Sequence, residues 1–102
     1  MTTEIQLTLE NEVGLHARPA SLFVKQASGF TSEVTVRNIS DGTEWVDAKS
    51  ILSILTLGAE QGHEIEIRAT GEDEEEAIQA LEHLVRSNFS DHQNQEEGED
   101  EG

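Results

Sequence analysis

Residues 14 to 20, GLHARPA, place a histidine and an arginine two positions apart, directly before the one proline of the chain. A neutral imidazole is a nucleophile near physiological pH, and a guanidinium group binds phosphate oxygens. Phosphoryl transfer requires mainly positioning and charge stabilisation from a protein. His16 is therefore a candidate phosphoryl acceptor, and Arg18 is a candidate for stabilising the phosphate.

The residues after His16 predict a helix that would position these groups. From residue 17 to residue 28 the apolar residues recur at helical spacing, at Ala20, Phe23, Val24 and Ala27, and Gly29 ends the pattern. The first N–H groups of a helix, here those of Ala17 and Arg18, lack helical partners and bind anions. Pro19 costs no hydrogen bond in that first turn, because an N–H there would have no helical partner. Gly14 permits a tight approach of the backbone into the loop. A simple capping role for the histidine stays open, although Ser, Thr, Asp and Asn cap better.

Hydrophobic patterns predict the elements of the whole fold. Alternation typical of strands occurs at 4–9, 33–39, 44–47 and 63–70. Helical periodicity occurs at 17–28, 49–58 and 72–86. The order β-α-β-β-α-β-α indicates an α+β fold with an antiparallel sheet covered on one face by helices. It does not distinguish among split βαβ arrangements, because a ferredoxin-like sandwich with an added C-terminal helix has the same order.

The composition excludes several classes of function. The chain has no cysteine, so disulfides and thiolate metal sites are excluded and a reducing, cytoplasmic compartment is expected. Its 6 basic and 22 acidic residues argue against binding to nucleic acid. We find no signal peptide and no membrane-spanning apolar run, and therefore expect no direct membrane binding. No P-loop and no metal-ligand spacing occurs, so neither a cofactor nor a metal is expected.

The end of the chain differs from the rest. The segment SNFSDHQNQEEGEDEG contains acidic residues but no Lys or Arg, and it lacks apolar periodicity. Such a segment does not bury enough apolar surface to fold. We therefore predict one domain over residues 1 to 86 and an acidic, disordered tail over residues 87 to 102.

The motif GLHARPA resembles, residue for residue, the active-site motif of HPr, the histidine-containing phosphocarrier of the bacterial phosphoenolpyruvate-dependent sugar phosphotransferase system. The similarity continues through FVKQASGFTSEVTV at 23–36, AKSILSILTLG at 48–58 and QGHEIEIRATGEDEEEAIQAL at 61–81. It covers roughly residues 3 to 86. The resemblance implies an open-faced β-sandwich, in which four antiparallel strands carry three helices on one face.

The resemblance further implies a phosphoryl carrier and not an enzyme. His16 would accept a phosphoryl group on Nδ1 from phosphorylated Enzyme I and pass it to EIIA domains of sugar permeases, with Arg18 stabilising the phosphate. The alternative within the family is a regulatory paralogue, either of the nitrogen branch or one that signals through Ser50 after modification by an HPr kinase/phosphorylase. An interaction module that functions without His16 is a third alternative.

The resemblance also implies a docking surface for these partners. The segment 49–58 contains more apolar residues than one buried stripe requires, which indicates that some of them face solvent. The predicted partner contacts are Ser21, Phe23, Lys25, Lys49, Leu52 and Leu55. The two lysines are expected near the histidine motif. Because the surface must stay accessible to large partners, we expect a monomer.

Overall fold

The computed structural model describes residues 1 to 90 of the chain. Within this part the strands are β1 (Thr2–Thr8), β2 (Glu33–Asn38), β3 (Val46–Asp47) and β4 (Glu64–Thr70). The helices are α1 (Ala17–Ser28), α2 (Ile51–Leu55) and α3 (Glu74–Arg86). The predicted order of elements is confirmed, and the bounds of α1 are the predicted ones. The predicted helical pattern at 49–58 is longer than α2, because its last residues form a turn at Gly58, where φ is +56°.

The four strands form one antiparallel sheet in the order β1-β4-β2-β3. Ile67 of β4 lies opposite Ile5 on one side and Val36 on the other, so the apolar residues of adjacent strands share one face. This face carries the core, and α3 packs on β1 and β4 while α1 packs on α2 and α3. The opposite face is polar, with ion pairs such as Arg68 to Glu4 at 2.7 Å. The predicted open-faced α+β sandwich is confirmed.

The third strand is shorter than predicted. Only Val46 and Asp47 pair with β2, whereas the predicted strand began at residue 44. Trp45 lies outside the strand, and its ring centroid is 4.1 Å from the guanidinium carbon of Arg68 and 4.8 Å from that of Arg37. These cation–π contacts hold the indole ring against other strands of the sheet. Alternation along the chain does not reveal such contacts between strands.

The folded domain extends beyond the predicted boundary at residue 86. Phe89 is only 6% exposed and belongs to the core. Its N–H donates to the Leu84 carbonyl at 2.8 Å, and positive φ angles at Asn88 and Phe89 turn the chain after α3. The boundary is therefore wrong, because an apolar ring returns to the core after the helix ends. Residues 91 to 102 of the predicted tail lie outside the described residues.

Asp73 connects the start of α3 to the segment that precedes β2. Its Oδ1 accepts hydrogen bonds from the Ser32 hydroxyl at 2.5 Å and the Ser32 N–H at 2.9 Å. Its Oδ2 accepts one from the Thr31 N–H at 2.9 Å. The side-chain hydrogen bond from Ser32 and the backbone hydrogen bond from Thr31 lower the pKa of Asp73 from 3.8 to about 2. The ionised carboxylate is therefore the form that the fold stabilises.

We expect Asp73→Asn to lower the free energy of unfolding at neutral pH. We also expect that free energy to fall less in the variant as the pH is lowered. The pKa of Asp73 is lower in the folded than in the unfolded chain, so its contribution is present above about pH 4 and disappears as the pH falls through about 2. Urea unfolding across this pH range measures the effect. Glu75→Gln, which removes an exposed carboxylate from the same helix turn, is the matched control. An unchanged pH dependence in Asp73→Asn would contradict the assignment.

Candidate functional site

His16 is the residue that directly precedes α1. Its backbone is extended, with φ −131° and ψ 162°, and its side chain makes no hydrogen bond that caps the helix. The half-buried imidazole instead lines an open depression with Glu12, Val13, Glu60 and Gln61. The predicted position at the N-cap is confirmed. The alternative of a simple capping side chain is wrong, because the ring does not bond to the helix amides.

The loop before His16 is held against the segment that follows α2. Gly14 has φ +63°, and a Cβ atom at this position would lie 2.3 Å from the Ala59 carbonyl oxygen. The N–H of the fully buried Leu15 donates to the same oxygen at 2.9 Å. The Gly14 carbonyl in turn accepts a hydrogen bond from the side-chain amide of Asn11 at 2.9 Å. A glycine is required here because no side chain fits, and the predicted tight approach is confirmed.

Ala17 begins α1 with a backbone conformation that residues with a Cβ atom avoid. Its φ is +53°, in the left-handed region. Such a conformation costs about 1–3 kcal/mol and persists only where the surrounding structure maintains it, often at functional sites. The sequence contains no sign of this strain, since alanine is the best helix former. The backbone is thus strained directly next to the candidate acceptor.

Arg18 and Pro19 occupy the first turn of α1. The side chain of Arg18 is exposed, and the proline ring is partly buried. The N–H groups of Ala17 and Arg18 belong to this turn, in which amides have no partner within the helix. A phosphate bound to His16 would therefore lie at the positive end of the helix dipole. That these groups bind phosphate stays a prediction.

The predicted docking leucines lie on the exposed side of α2. Leu52 is 74% exposed and Leu55 is 40% exposed, which confirms that part of the segment 49–58 faces solvent. Helix α2 packs against α1, on which Ser21 is also exposed. Val13, 48% exposed, is a further apolar residue beside His16 that the sequence patterns did not single out. These side chains are available to a partner, and their role in docking stays a prediction.

The predicted docking role of Phe23 is wrong. Its side chain is completely buried in the core together with Ala20 and Ala27 of the same helix. These three residues recur at spacings of three and four, so they occupy the one stripe of α1 that faces the core. Ser21 lies two residues before Phe23 and therefore points away from that stripe.

The two predicted docking lysines lie far from His16 along α1. The ammonium group of Lys49 donates to the Phe30 carbonyl at 2.7 Å, just beyond the C-terminal end of α1. Lys25 is in the last turn of that helix. The helix has 12 residues and is therefore about 18 Å long, and His16 precedes its other end. The expectation that both cations lie near the histidine motif is wrong.

Ser50 is the N-cap residue of α2. Its hydroxyl oxygen accepts a hydrogen bond from the Ser53 N–H at 3.3 Å, and the residue is half-buried. Serine is among the preferred N-cap residues, so helix capping alone is a sufficient reason for a serine at this position. Phosphorylation of Ser50 stays a prediction.

Neither a metal site nor a membrane-spanning helix is found within residues 1 to 90. In this part of the chain no group of three or more His, Cys, Asp or Glu side chains could hold a metal ion. The helices of the same part are too short and too polar to cross a membrane.

Comparisons with known proteins place this site in a family. The model for the PTS HPr component phosphorylation site matches residues 3–87. The phosphocarrier protein NPr of Escherichia coli K12 is 40% identical over 91 residues, which cover 89% of this chain and 99% of NPr. The crystal structure of HPr-C-His from Thermoanaerobacter tengcongensis has a TM-score of 0.82 at 45% identity, over 87% of this chain and 97% of that one. The chain belongs to the HPr family of phosphocarrier proteins of the phosphotransferase system.

Members of this family carry a phosphoryl group and are not catalysts. A further relative is the multiphosphoryl transfer protein of Haemophilus influenzae, which is 45% identical over 74 residues. These residues cover 72% of this chain but only 15% of that protein. The chain thus spans a small part of one relative and nearly the whole length of NPr.

Proposed function

We propose that the chain is a regulatory phosphocarrier of the nitrogen-branch type, phosphorylated on His16 by an Enzyme I and dephosphorylated by an EIIA-type partner. The observation that carries the choice of branch is the similarity to NPr, because it extends over 89% of this chain and 99% of NPr. We also propose that the protein is a cytoplasmic monomer, as expected from the sequence.

The geometry at His16 supports the proposed chemistry. The ring makes no capping hydrogen bond and lines an open depression, so two partner proteins can reach it in turn. In the transfer, a bond forms between Nδ1 and phosphorus while the bond between phosphorus and the donor breaks. The guanidinium of Arg18 and the first N–H groups of α1 would offset the negative charge of the phosphoryl oxygens.

Partners would dock on the exposed apolar residues of α2, Leu52 and Leu55. Helix α2 packs on α1, whose first turn follows His16, so a partner bound there would have its reacting group close to the acceptor. Exposed apolar side chains of this kind often mark interaction sites. This surface would serve Enzyme I and EIIA alike, because each must reach the same histidine.

The sugar branch is the second candidate, and the similarity to HPr structures favours it. The HPr-C-His structure matches at 45% identity, and an HPr from Bacillus anthracis matches with a TM-score of 0.76 at 34% identity. In that case the acceptor would be an EIIA domain of a sugar permease. Both candidates use the same chemistry at His16, so the identity of the phosphoryl donor distinguishes them.

The test compares two phosphoryl donors, the Enzymes I of the two branches, both from the organism of this protein. The protein is incubated with phosphoenolpyruvate, Mg²⁺ and Enzyme I of either the nitrogen branch or the sugar branch. We expect kcat/KM to be about tenfold or more higher with the nitrogen-branch donor. The product should gain one acid-labile phosphate by intact mass.

A preference for the sugar-branch Enzyme I would favour the second candidate. No phosphate from either donor would contradict the phosphocarrier role of His16. The alternatives would then be signalling through Ser50, tested with an HPr kinase/phosphorylase, and binding without phosphorylation.

A further inference from the structure

The imidazole of His63, which directly precedes β4, connects two other segments of the chain. Its Nδ1 lies 3.1 Å from the backbone nitrogen of Glu60 and 3.1 Å from Nδ2 of Asn38. A backbone N–H can only donate, so Nδ1 is the acceptor and carries no proton. The ring is therefore the neutral tautomer with its proton on Nε2.

The orientation of Asn38 agrees with this assignment. The residue is fully buried, and its Nδ2 also donates to the Leu57 carbonyl at 3.1 Å. Its Oδ1 accepts a hydrogen bond from the Asp41 N–H at 3.3 Å. Backbone groups thus define which end of the side-chain amide faces His63, and that end is the donor.

The peptide held by this imidazole also supports the loop before His16. A Cβ atom at Gly14 would lie 2.3 Å from the Ala59 oxygen and 2.7 Å from Cα of Glu60, so the two backbones are in direct contact. Leu15 donates to the same Ala59 oxygen at 2.9 Å. The Ala59 carbonyl and the Glu60 N–H belong to one peptide group. The imidazole accepts from its N–H, and Leu15 donates to its carbonyl oxygen.

We propose that His63 is a positioning residue for phosphoryl transfer. As the neutral Nε2–H tautomer it holds the backbone of residues 59 and 60, which supports Gly14 and Leu15 and thereby sets the place of the His16 ring. The side chain does not contact the phosphate. This inference rests on the proposed phosphorylation of His16, because the position of that ring matters only if the ring is the acceptor.

The tautomer can be measured without any phosphoryl donor. In ¹⁵N NMR spectra above neutral pH we expect Nδ1 of His63 to have the chemical shift of an unprotonated nitrogen and Nε2 that of a protonated one. The opposite tautomer, or an average of the two, would overturn the inference. Because this experiment involves no transfer, it separates failure of the inference from failure of the proposed function.

Three variants test the effect on transfer. His63→Leu removes the acceptor, His63→Asn places an amide oxygen close to the position of Nδ1, and His83→Leu makes the same change at an exposed position of α3. We expect His63→Leu to lower kcat for phosphorylation about tenfold, since small misplacements of a reacting group have large effects. The KM for Enzyme I should change little, because the proposed docking residues lie on α2. His63→Asn should recover most of kcat, and His83→Leu should not change it.

Hydrogen exchange of the Leu15 amide is the accompanying measurement. We expect it to be faster in His63→Leu than in His63→Asn, since this amide donates to the Ala59 carbonyl. Equal losses of kcat in the Leu and Asn variants, or an unchanged kcat in His63→Leu, would overturn the inference. So would a loss of kcat without faster exchange at Leu15. If even the unsubstituted protein accepts no phosphate, the exchange and NMR results still show whether His63 holds the backbone of residues 59 and 60 and supports the loop before His16.

Discussion

The His16→Ala variant is expected to accept no acid-labile phosphate from Enzyme I and to retain its fold. The substitution removes the imidazole nitrogen to which phosphorus would bond, and no residue in the depression around it offers another imidazole. The side chain makes no capping hydrogen bond and is only half-buried. We therefore expect the free energy of unfolding to change by no more than about 1 kcal/mol.

Intact mass after incubation with phosphoenolpyruvate, Mg²⁺ and Enzyme I measures the gain of phosphate, and urea unfolding measures the stability. His83→Ala, at an exposed histidine of α3, is the matched control and should be phosphorylated normally. Arg18→Ala should slow the transfer without abolishing it, because it removes charge stabilisation but not the nucleophile. An acid-labile phosphate on His16→Ala would place the acceptor on another residue.

The Phe23→Ala variant is expected to lose about 3–5 kcal/mol of the free energy of unfolding. The ring is fully buried among residues of the sheet and the helices, and its removal leaves a cavity in the core. This loss is a large part of the roughly 5–15 kcal/mol by which small domains are stable. Urea unfolding at neutral pH measures it directly.

Leu52→Ala is the control for that variant, because it removes a similar apolar side chain that is 74% exposed. Its stability should change by less than about 0.5 kcal/mol. If Leu52 contacts partners as proposed, the KM for Enzyme I should increase. A stability loss equal to that of Phe23→Ala would contradict the surface position of Leu52, and a small loss at Phe23 would contradict its burial.

The difference between Phe23 and Ser21 shows a limit of the resemblance. Both residues were expected in the docking surface, although residues two positions apart do not face the same side of a helix. Helical periodicity alone placed Phe23 in a stripe with Ala20, Val24 and Ala27. In the structure Ala20, Phe23 and Ala27 are buried, and Val24 is partly buried against the core. In this case the physical pattern was more informative than the resemblance.

The sequence by itself determined the order of the elements, the start of α1 at the candidate acceptor, and the tight approach at Gly14. These features depend on local patterns: the periods of strands and helices, the restricted φ of proline and the absence of a side chain in glycine. The same patterns predicted that some apolar residues of the segment 49–58 face solvent, because a short helix cannot bury so many apolar side chains. The resemblance, and not the pattern, singled out Leu52 and Leu55. The similarity of the whole chain then indicated the family.

Only the tertiary structure decided the features that depend on residues distant along the chain. The sheet order pairs Thr2 with Thr70, and no local pattern encodes such a pairing. Three further features likewise depend on contacts between separate elements. Phe89 returns to the core, Trp45 stacks on two arginines, and Lys49 lies beside Phe30. The strained backbone of Ala17 belongs to this group too, because an isolated helix would relax it and only the surrounding fold maintains it.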